Sequence, residues 1–340
     1  MMNLKRLLIF MIIPALLSCS PPESLQRFAG LTQGTSYHIS FWKPGVDSTA
    51  LKQQVDQELA RLDKLLSNYR PDSVIEQFNA FSKSEPFEVG EEFVQLVKKA
   101  QQVSKKTDGC YDITSKPLFS LWAFNTDHPV KPADDALQQT QQRIGYQNLE
   151  IVDATHLRKR LPQLEIDIAS IAQGYSVYRI GQILLQNKIE NYLVEIGGEL
   201  ETRGQKPGNK PWRVAIERPL PGQTRLHKIL TIKRHDAVAV MTSGTYRHFF
   251  DQNGQRFSHI LDARTGRPVT HNTVSVTLIH DDATIADAWS TALLCVGAEK
   301  GLAIANQIGI AALFITQHDG ETLTEQSSQP WRQLSDIIIQ

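Results

Sequence analysis

Tyr192-Leu193-Val194-Glu195-Ile196 is a short apolar run that stops at Gly197-Gly198, and the chain beyond it repeats the form at Trp212–Glu217, Ile229–Lys233 and Ala237–Met241. Each run has strand length, is rich in Val, Ile or aromatic residues, and is bounded by Gly, Pro or polar turn residues. No helical segment separates them, so successive strands meet through short connections and pair antiparallel. Further strands are expected at Thr35–Trp42, Thr273–His280 and Ala311–Thr316.

Helical spacing takes over elsewhere. Leu51, Val55, Leu59 and Leu62 lie on one face of a helix running to Leu66. A second helix begins near Glu91-Glu92, turns Phe93, Leu96, Val97, Ala100 and Val103 inward, and ends with Lys105-Lys106 before Gly109. Others are expected at Asp135–Ile144, Ile171–Leu185, Thr284–Val296 and Glu299–Ile308. The fold class is therefore α+β, a largely antiparallel sheet packed with helices. No linker rich enough to mark a domain boundary follows residue 30, so residues 31–340 are expected to fold as one domain.

At 340 residues and 41% hydrophobic content the chain can bury a full-sized core. Its 36 basic and 36 acidic residues balance, and no basic patch marks a nucleic-acid partner.

The N-terminus has the form of an export signal. Lys5 and Arg6 precede the apolar run Leu7–Leu17, broken by Pro14 and too short to span a bilayer. Leu16-Leu17-Ser18-Cys19 resembles a bacterial lipobox, in which the cysteine is acylated and becomes the mature N-terminus; the alternative is an ordinary signal peptide with an incidental Cys. Residues 1–18 are thus expected to be a signal peptide, and 19–30 a linker after lipidated Cys19. Attachment to the inner or outer membrane, on the periplasmic side, would follow. Cys110 and Cys295 also remain after export and could be oxidised to a bridge. Because Cys295 sits in the apolar run Ala292–Val296, a buried thiol is the simpler expectation.

Several clusters can carry chemistry. Asp287 and Thr291 share a helix face at i, i+4, so a carboxylate and a hydroxyl can meet one hard cation such as Mg²⁺. Thr284 and Asp287 equally read as a capping box. Thr242-Ser243-Gly244-Thr245 follows a strand and can hold a phosphate, or be a plain turn. His259 can serve as a general base or be structural. Ser243, His259 and Asp262 spell a hydrolase triad only formally, since no nucleophile elbow surrounds Ser243. Asp167, between apolar residues, needs partners and can find them by capping the following helix. Gly197-Gly198 favours a tight turn, and Trp122 with Phe124 reads as core.

Taken in order, these segments resemble the ApbE family, the FAD:protein FMN transferases. The resemblance runs through Gln33-Gly34-Thr35, Leu66-Ser67-Asn68-Tyr69, Asp72-Ser73 and Asn79. It continues with Asp112-x-Thr114-x-x-Pro117-Leu118-x-x-x-Trp122-x-Phe124, the block Asp167–Tyr175, Gly197-Gly198 and Pro211-Trp212-Arg213. It closes with Thr242-Ser243-Gly244, His259-Ile260-x-Asp262-x-x-Thr265-Gly266-x-Pro268, Ser275-Val276-Thr277 and Ala286-Asp287-x-x-x-Thr291. Gln33 stands where the family usually has Met, and Gln173, Tyr178, Glu195 and Ala263 are other departures.

The resemblance implies Mg²⁺ held by Asp287, Thr291 and an oxygen of Ser170. It implies FAD contacts at Gln33, Tyr69, Ala123, Phe124, Asn125, Asp167, Gln173 and Leu261, with His259 as general base. The implied reaction is attack by a threonine hydroxyl of an acceptor protein on the FMN-side phosphorus of FAD, releasing AMP; the acceptor would be a membrane redox subunit. The alternatives are an FAD pyrophosphatase using water at the same site, and a flavin-binding lipoprotein without turnover.

Overall fold

The computed structural model describes residues 24–124, 126, 128–222 and 225–340. Cys19, the signal peptide and Asn125 lie outside the described residues.

Eight strands form one sheet in simple chain order: Gln26–Thr32 (β1), Thr35–Phe41 (β2), Tyr192–Ile196 (β3), Glu199–Arg203 (β4), Val238–Gly244 (β5), Thr273–His280 (β6), Ala311–Gln317 (β7) and Leu323–Ser327 (β8). Every neighbouring pair is antiparallel. The expected α+β class, with antiparallel sheet packed against helices, is what the chain adopts. β1 begins inside the span 19–30 expected to be linker; its sequence alternates only between half-buried and exposed residues. Gly197 and Gly198 make the two-residue β3–β4 turn, with φ of 62° and 102° and Ile196 paired to Glu199. Both positions need the left-handed region, which glycine enters without steric cost.

The helices are Ser48–Leu66 (α1), Val74–Ala80 (α2), Glu91–Lys106 (α3), Lys116–Leu121 (α4), Asp134–Gln141 (α5), Ala169–Gln186 (α6) and Ala283–Ile308 (α7), followed by the single turn Gln329–Arg332. α1 is capped by Asp47, which accepts from Thr49 N and Ala50 N, and it buries Leu51, Val55, Leu59, Leu62 and Leu66. α3 buries the five residues its spacing named. α7 merges the two helices expected at Thr284 and Glu299, and the break between them survives at Gly297, whose φ of 76° and ψ of 171° are not helical.

Alternation along the central strands feeds two cores. Ala239, Met241, Val276, Leu278, Ala312 and Phe314 face a core shared with α1, α3, α6 and α7. Val238, Val240, Ile279, Ala311, Leu313 and Ile315 face the opposite side, where strands Trp212–Glu217, Leu226–Ile232 and Ile337–Ile339 form a second sheet. Each large side chain fully buried in this way contributes roughly 1.5–3 kcal/mol. A third cluster, with Leu118, Trp122, Leu137, Phe257 and Leu261, lies beneath the segment that carries His259.

Cys110 and Cys295 are joined in a disulfide, their Cα atoms 6.0 Å apart across 185 residues of sequence. The expectation of a free buried thiol is thereby corrected. Among the described residues no helix is long and apolar enough to cross a membrane.

Candidate active site

The site grows from the crossing of α6 and α7. Gly174 allows it, because a Cβ there would lie 2.4 Å from both the Ala283 carbonyl oxygen and Asp287 Cβ. At this contact Gly174 N–H donates to Asp287 Oδ2 at 2.7 Å. In a regular helix that N–H would serve the Ser170 carbonyl one turn earlier. Sharing it with Asp287 leaves the Ser170 carbonyl with acceptor capacity at the crossing. The Ser170 hydroxyl donates to Tyr111 Oη at 3.1 Å. The tyrosine hydroxyl is pushed upward by burial and then by the charges of Asp287, Asp112 and Asp167.

The capping-box expectation is corrected here. The N-cap of α7 is Asp282, which accepts from Ile285 N, so the buried Asp287 does not cap its own helix. Glu199, on β4, lies close to it, also buried and accepting from Thr242 N–H at 3.2 Å. Burial raises both carboxyls, and for Glu199 the charge of Asp287 adds to the effect. Neither carboxylate forms an ion pair with a cationic side chain among the described residues.

β5 supplies the next layer. Ser243 Oγ lies 2.7 Å from Ser290 Oγ and 2.9 Å from Thr291 Oγ1, and Ser290 Oγ donates to the Asp287 carbonyl at 2.8 Å. Thr291 is one turn beyond Asp287, so both oxygens stand on the face of α7 that meets α6 and β5. Asp287, Thr291 and the Ser170 carbonyl are an all-oxygen set beside a second buried carboxylate. Such a set suits a hard divalent ion that keeps several waters.

His259 is half-buried, following strand Gln255–Ser258. The His248 carbonyl accepts from His259 N–H at 3.0 Å and from its Nδ1 at 2.9 Å. A carbonyl can only accept, so Nδ1 carries the proton and Nε2 keeps its lone pair. Burial lowers the imidazole to about 4, which leaves it neutral and able to take a proton near pH 7. The formal triad does not form: Ser243 is engaged with α7, and Asp262 pairs with Arg264 at 2.7 Å.

The described residues expected at the flavin fall in two groups, one on and near α6 and one with the cluster of Trp122 and Leu261. Gln33, at the β1–β2 turn with φ of 49°, donates from Nε2 to Ser176 Oγ of α6 at 2.7 Å. Gln173 reaches the β3–β4 turn, where a Cβ on Gly197 would meet its Nε2 at 2.8 Å. Asp167 accepts from Ala169 N–H at 2.8 Å, and burial raises its carboxyl. The expected cap is corrected: Asp167 binds one N–H at the start of α6, but the N-cap is Ile168 and the helix has no side-chain cap bond. Tyr69 is 86% exposed on a loop whose neighbour Asn68 is tied by its Nδ2 to Glu76 and the Ile166 carbonyl. Ala123 has φ of 54°, beside the buried Trp122 whose Nε1 donates to the Gly266 carbonyl. Phe124 stacks on Trp122 at 6.1 Å, and Leu261 is buried with its carbonyl oxygen 3.7 Å from Cys295 Sγ.

Spacing did not single out His248, whose carbonyl fixes the tautomer. It gave no role to Ser290 or to Glu199, although Glu199 follows the noted Gly pair. Arg247 also went unnoticed; its guanidinium flanks Gly198 and pairs with Glu217 at 3.2 Å.

A profile of the ApbE family matches residues 33–314. A FAD:protein FMN transferase of Vibrio cholerae is 37% identical over 308 residues, covering 89% of this chain and 91% of the relative. The protein of the same name from Escherichia coli is 35% identical over 308 residues, with 88% and 86% covered. The solved flavin transferase ApbE from Vibrio cholerae superposes with a TM-score of 0.83 at 35% identity, spanning 92% of this chain and 99% of that one. The chain belongs to the ApbE family and is an enzyme of the transferase class.

Proposed function

We propose that this protein transfers FMN from FAD to a threonine of an acceptor protein, in a Mg²⁺-dependent reaction that releases AMP. The acceptor hydroxyl oxygen bonds to the FMN-side phosphorus, the phosphorus–oxygen bond to AMP breaks, and AMP leaves with that electron pair. The threonine proton passes to His259 Nε2, the one ring nitrogen with a free lone pair. Asp287, Thr291 and the Ser170 carbonyl would hold the metal. Mg²⁺ at such a site neutralises charge developing on the phosphates. Gln33, Tyr69, Ala123, Phe124, Asn125, Asp167, Gln173 and Leu261 would bind and orient FAD. The observation that supports the reading is the buried Asp287 carboxylate at the α6–α7 crossing, which accepts from Gly174 N–H and forms no ion pair with a cationic side chain among the described residues.

Export and lipid anchoring through Cys19 fit the same reading, with a membrane redox subunit as acceptor. The Cys110–Cys295 bridge supports an oxidising compartment. Cys19→Ala should release the protein from the membrane fraction.

The test mixes the mature protein with FAD, Mg²⁺ and a threonine-bearing acceptor domain, and reads flavin fluorescence on a denaturing gel. Labelled acceptor and free AMP are expected. FMN and AMP with unlabelled acceptor would mean water is the nucleophile and the enzyme a pyrophosphatase, and intact FAD would overturn both readings. Full activity in Asp287→Ala would refute the metal assignment.

A further inference from the structure

We propose that Ser243 is a positioning residue that fixes the Thr291 hydroxyl as an acceptor-only ligand for a divalent cation. The argument is a proton count along three hydroxyls, each with one proton to give. Ser290 Oγ lies 2.8 Å from the Asp287 carbonyl, which can only accept, so the Ser290 proton is committed there. Ser290 is then the acceptor in its 2.7 Å contact with Ser243, which commits the Ser243 proton. In the 2.9 Å contact between Ser243 and Thr291 the remaining proton is that of Thr291. Thr291 Oγ1 therefore points its hydrogen at β5 and turns its lone pairs away from it.

The relay also closes the usual escape. A helical threonine tends to bond back to the carbonyl four residues earlier, which for Thr291 is that of Asp287. That carbonyl already accepts from Ser290, beside the helical N–H expected of Thr291 itself. The same strand holds the second carboxylate, through Thr242 N–H to Glu199. β5 thus orients oxygens of β4 and α7 together. None of this needs Ser243 to touch the cation or FAD.

The inference rests on the reading of Asp287 and Thr291 as cation ligands, so the experiment separates the two. Mn²⁺ is titrated into the full mature protein without FAD, the free ion is read by electron paramagnetic resonance, and Mg²⁺ is added to compete. Ser243→Ala should weaken Mn²⁺ and Mg²⁺ binding at least tenfold, and Ser243→Thr, which keeps the hydroxyl, should stay within about threefold of wild type. Ser290→Ala should also weaken binding, because Ser243 is then free to turn its proton onto Thr291. If Ser243→Ala does not fold, as judged by circular dichroism, Ser290→Ala decides in its place. Wild-type affinity in the deciding variant, with binding lost in Asp287→Ala, overturns the relay and leaves the metal reading standing. Undiminished binding in Asp287→Ala overturns both.

Discussion

Gly174 donates its backbone N–H to Asp287 Oδ2 at 2.7 Å, with the carbonyl of Ala283 and Cβ of Asp287 filling the space where a side chain would begin. One glycine thus both lets α6 and α7 touch and aims the buried carboxylate. Gly174→Ala forces the helices apart. We expect a loss of roughly 1–3 kcal/mol in denaturant unfolding, as for other overpacked sites. A carboxylate displaced by even ~1 Å can cost ~100-fold in rate, so flavin transfer should fall much further than stability. Transfer equal to wild type would show that Asp287 is not aimed by this contact.

His259 has its Nδ1 proton committed to the His248 carbonyl and is held neutral by burial. His259→Ala should lower the transfer rate ~100- to 10,000-fold, the usual span for a lost general base, with FAD affinity changed only a few-fold. Since its conjugate acid lies at about 4, protonation of His259 should not limit transfer between pH 8 and 5. The folding sign follows: the folded group sits below its ordinary 6.5, so the unfolded chain binds the extra proton and stability falls as pH drops from about 6.5 toward 4. A rate limb near pH 6.5 that disappears in His259→Ala would contradict this environment.

Particular residues explain how far the sequence could be read. Thr273–His280 and Trp212–Glu217 were legible to the residue, because β-rich runs between turn signals leave little choice. In contrast, Val238-Ala239-Val240-Met241 reads as one apolar run, and only the fold reveals that its alternate residues serve two different cores. β1 looked like linker because Gln26–Thr32 buries no residue fully. Asp287 was placed correctly at a helix start, but its partner lies 113 residues away on α6, and no local pattern distinguishes that from a capping box. The apolar setting of Cys295 was read rightly and its bond to Cys110 was not. Spacing proposed Asp287 with Thr291, and the proposed flavin contacts came from the ordered family pattern.

The Cys110–Cys295 bridge ties α7, one turn beyond Thr291, to the segment before α4. There the Ala263 N–H donates to the Cys110 carbonyl, and Cys295 Sγ packs 3.7 Å from the Leu261 carbonyl oxygen. Closing a loop of 185 residues restricts the unfolded chain by an amount worth ~5 kcal/mol in the chain-entropy model. The double variant Cys110→Ser/Cys295→Ser should therefore unfold at lower denaturant, and its affinity for FAD should drop through the looser Leu261. If reduction leaves both the unfolding midpoint and FAD binding unchanged, the bridge contributes to neither.

Glu201 is buried on β4 two residues from Glu199, and its Oε1 accepts from Tyr192 Oη at 2.7 Å beside Gly181. Burial pushes its carboxyl up to about 7 from an ordinary 4.5. Because the folded value is the higher one, the neutral form is favoured by folding. That contribution is complete below about 4.5 and is lost as pH rises through about 7. Glu201→Gln keeps the shape and an acceptor for Tyr192 but cannot ionise. It should be close to wild type in unfolding free energy at pH 4.5, and more stable at pH 8.5 by an amount on the order of 3 kcal/mol. Denaturant curves at the two pH values measure the difference. A variant less stable than wild type at pH 8.5 would mean that Glu201 is ionised in the native protein and balanced by a charge nearby, for which Arg203 is the candidate.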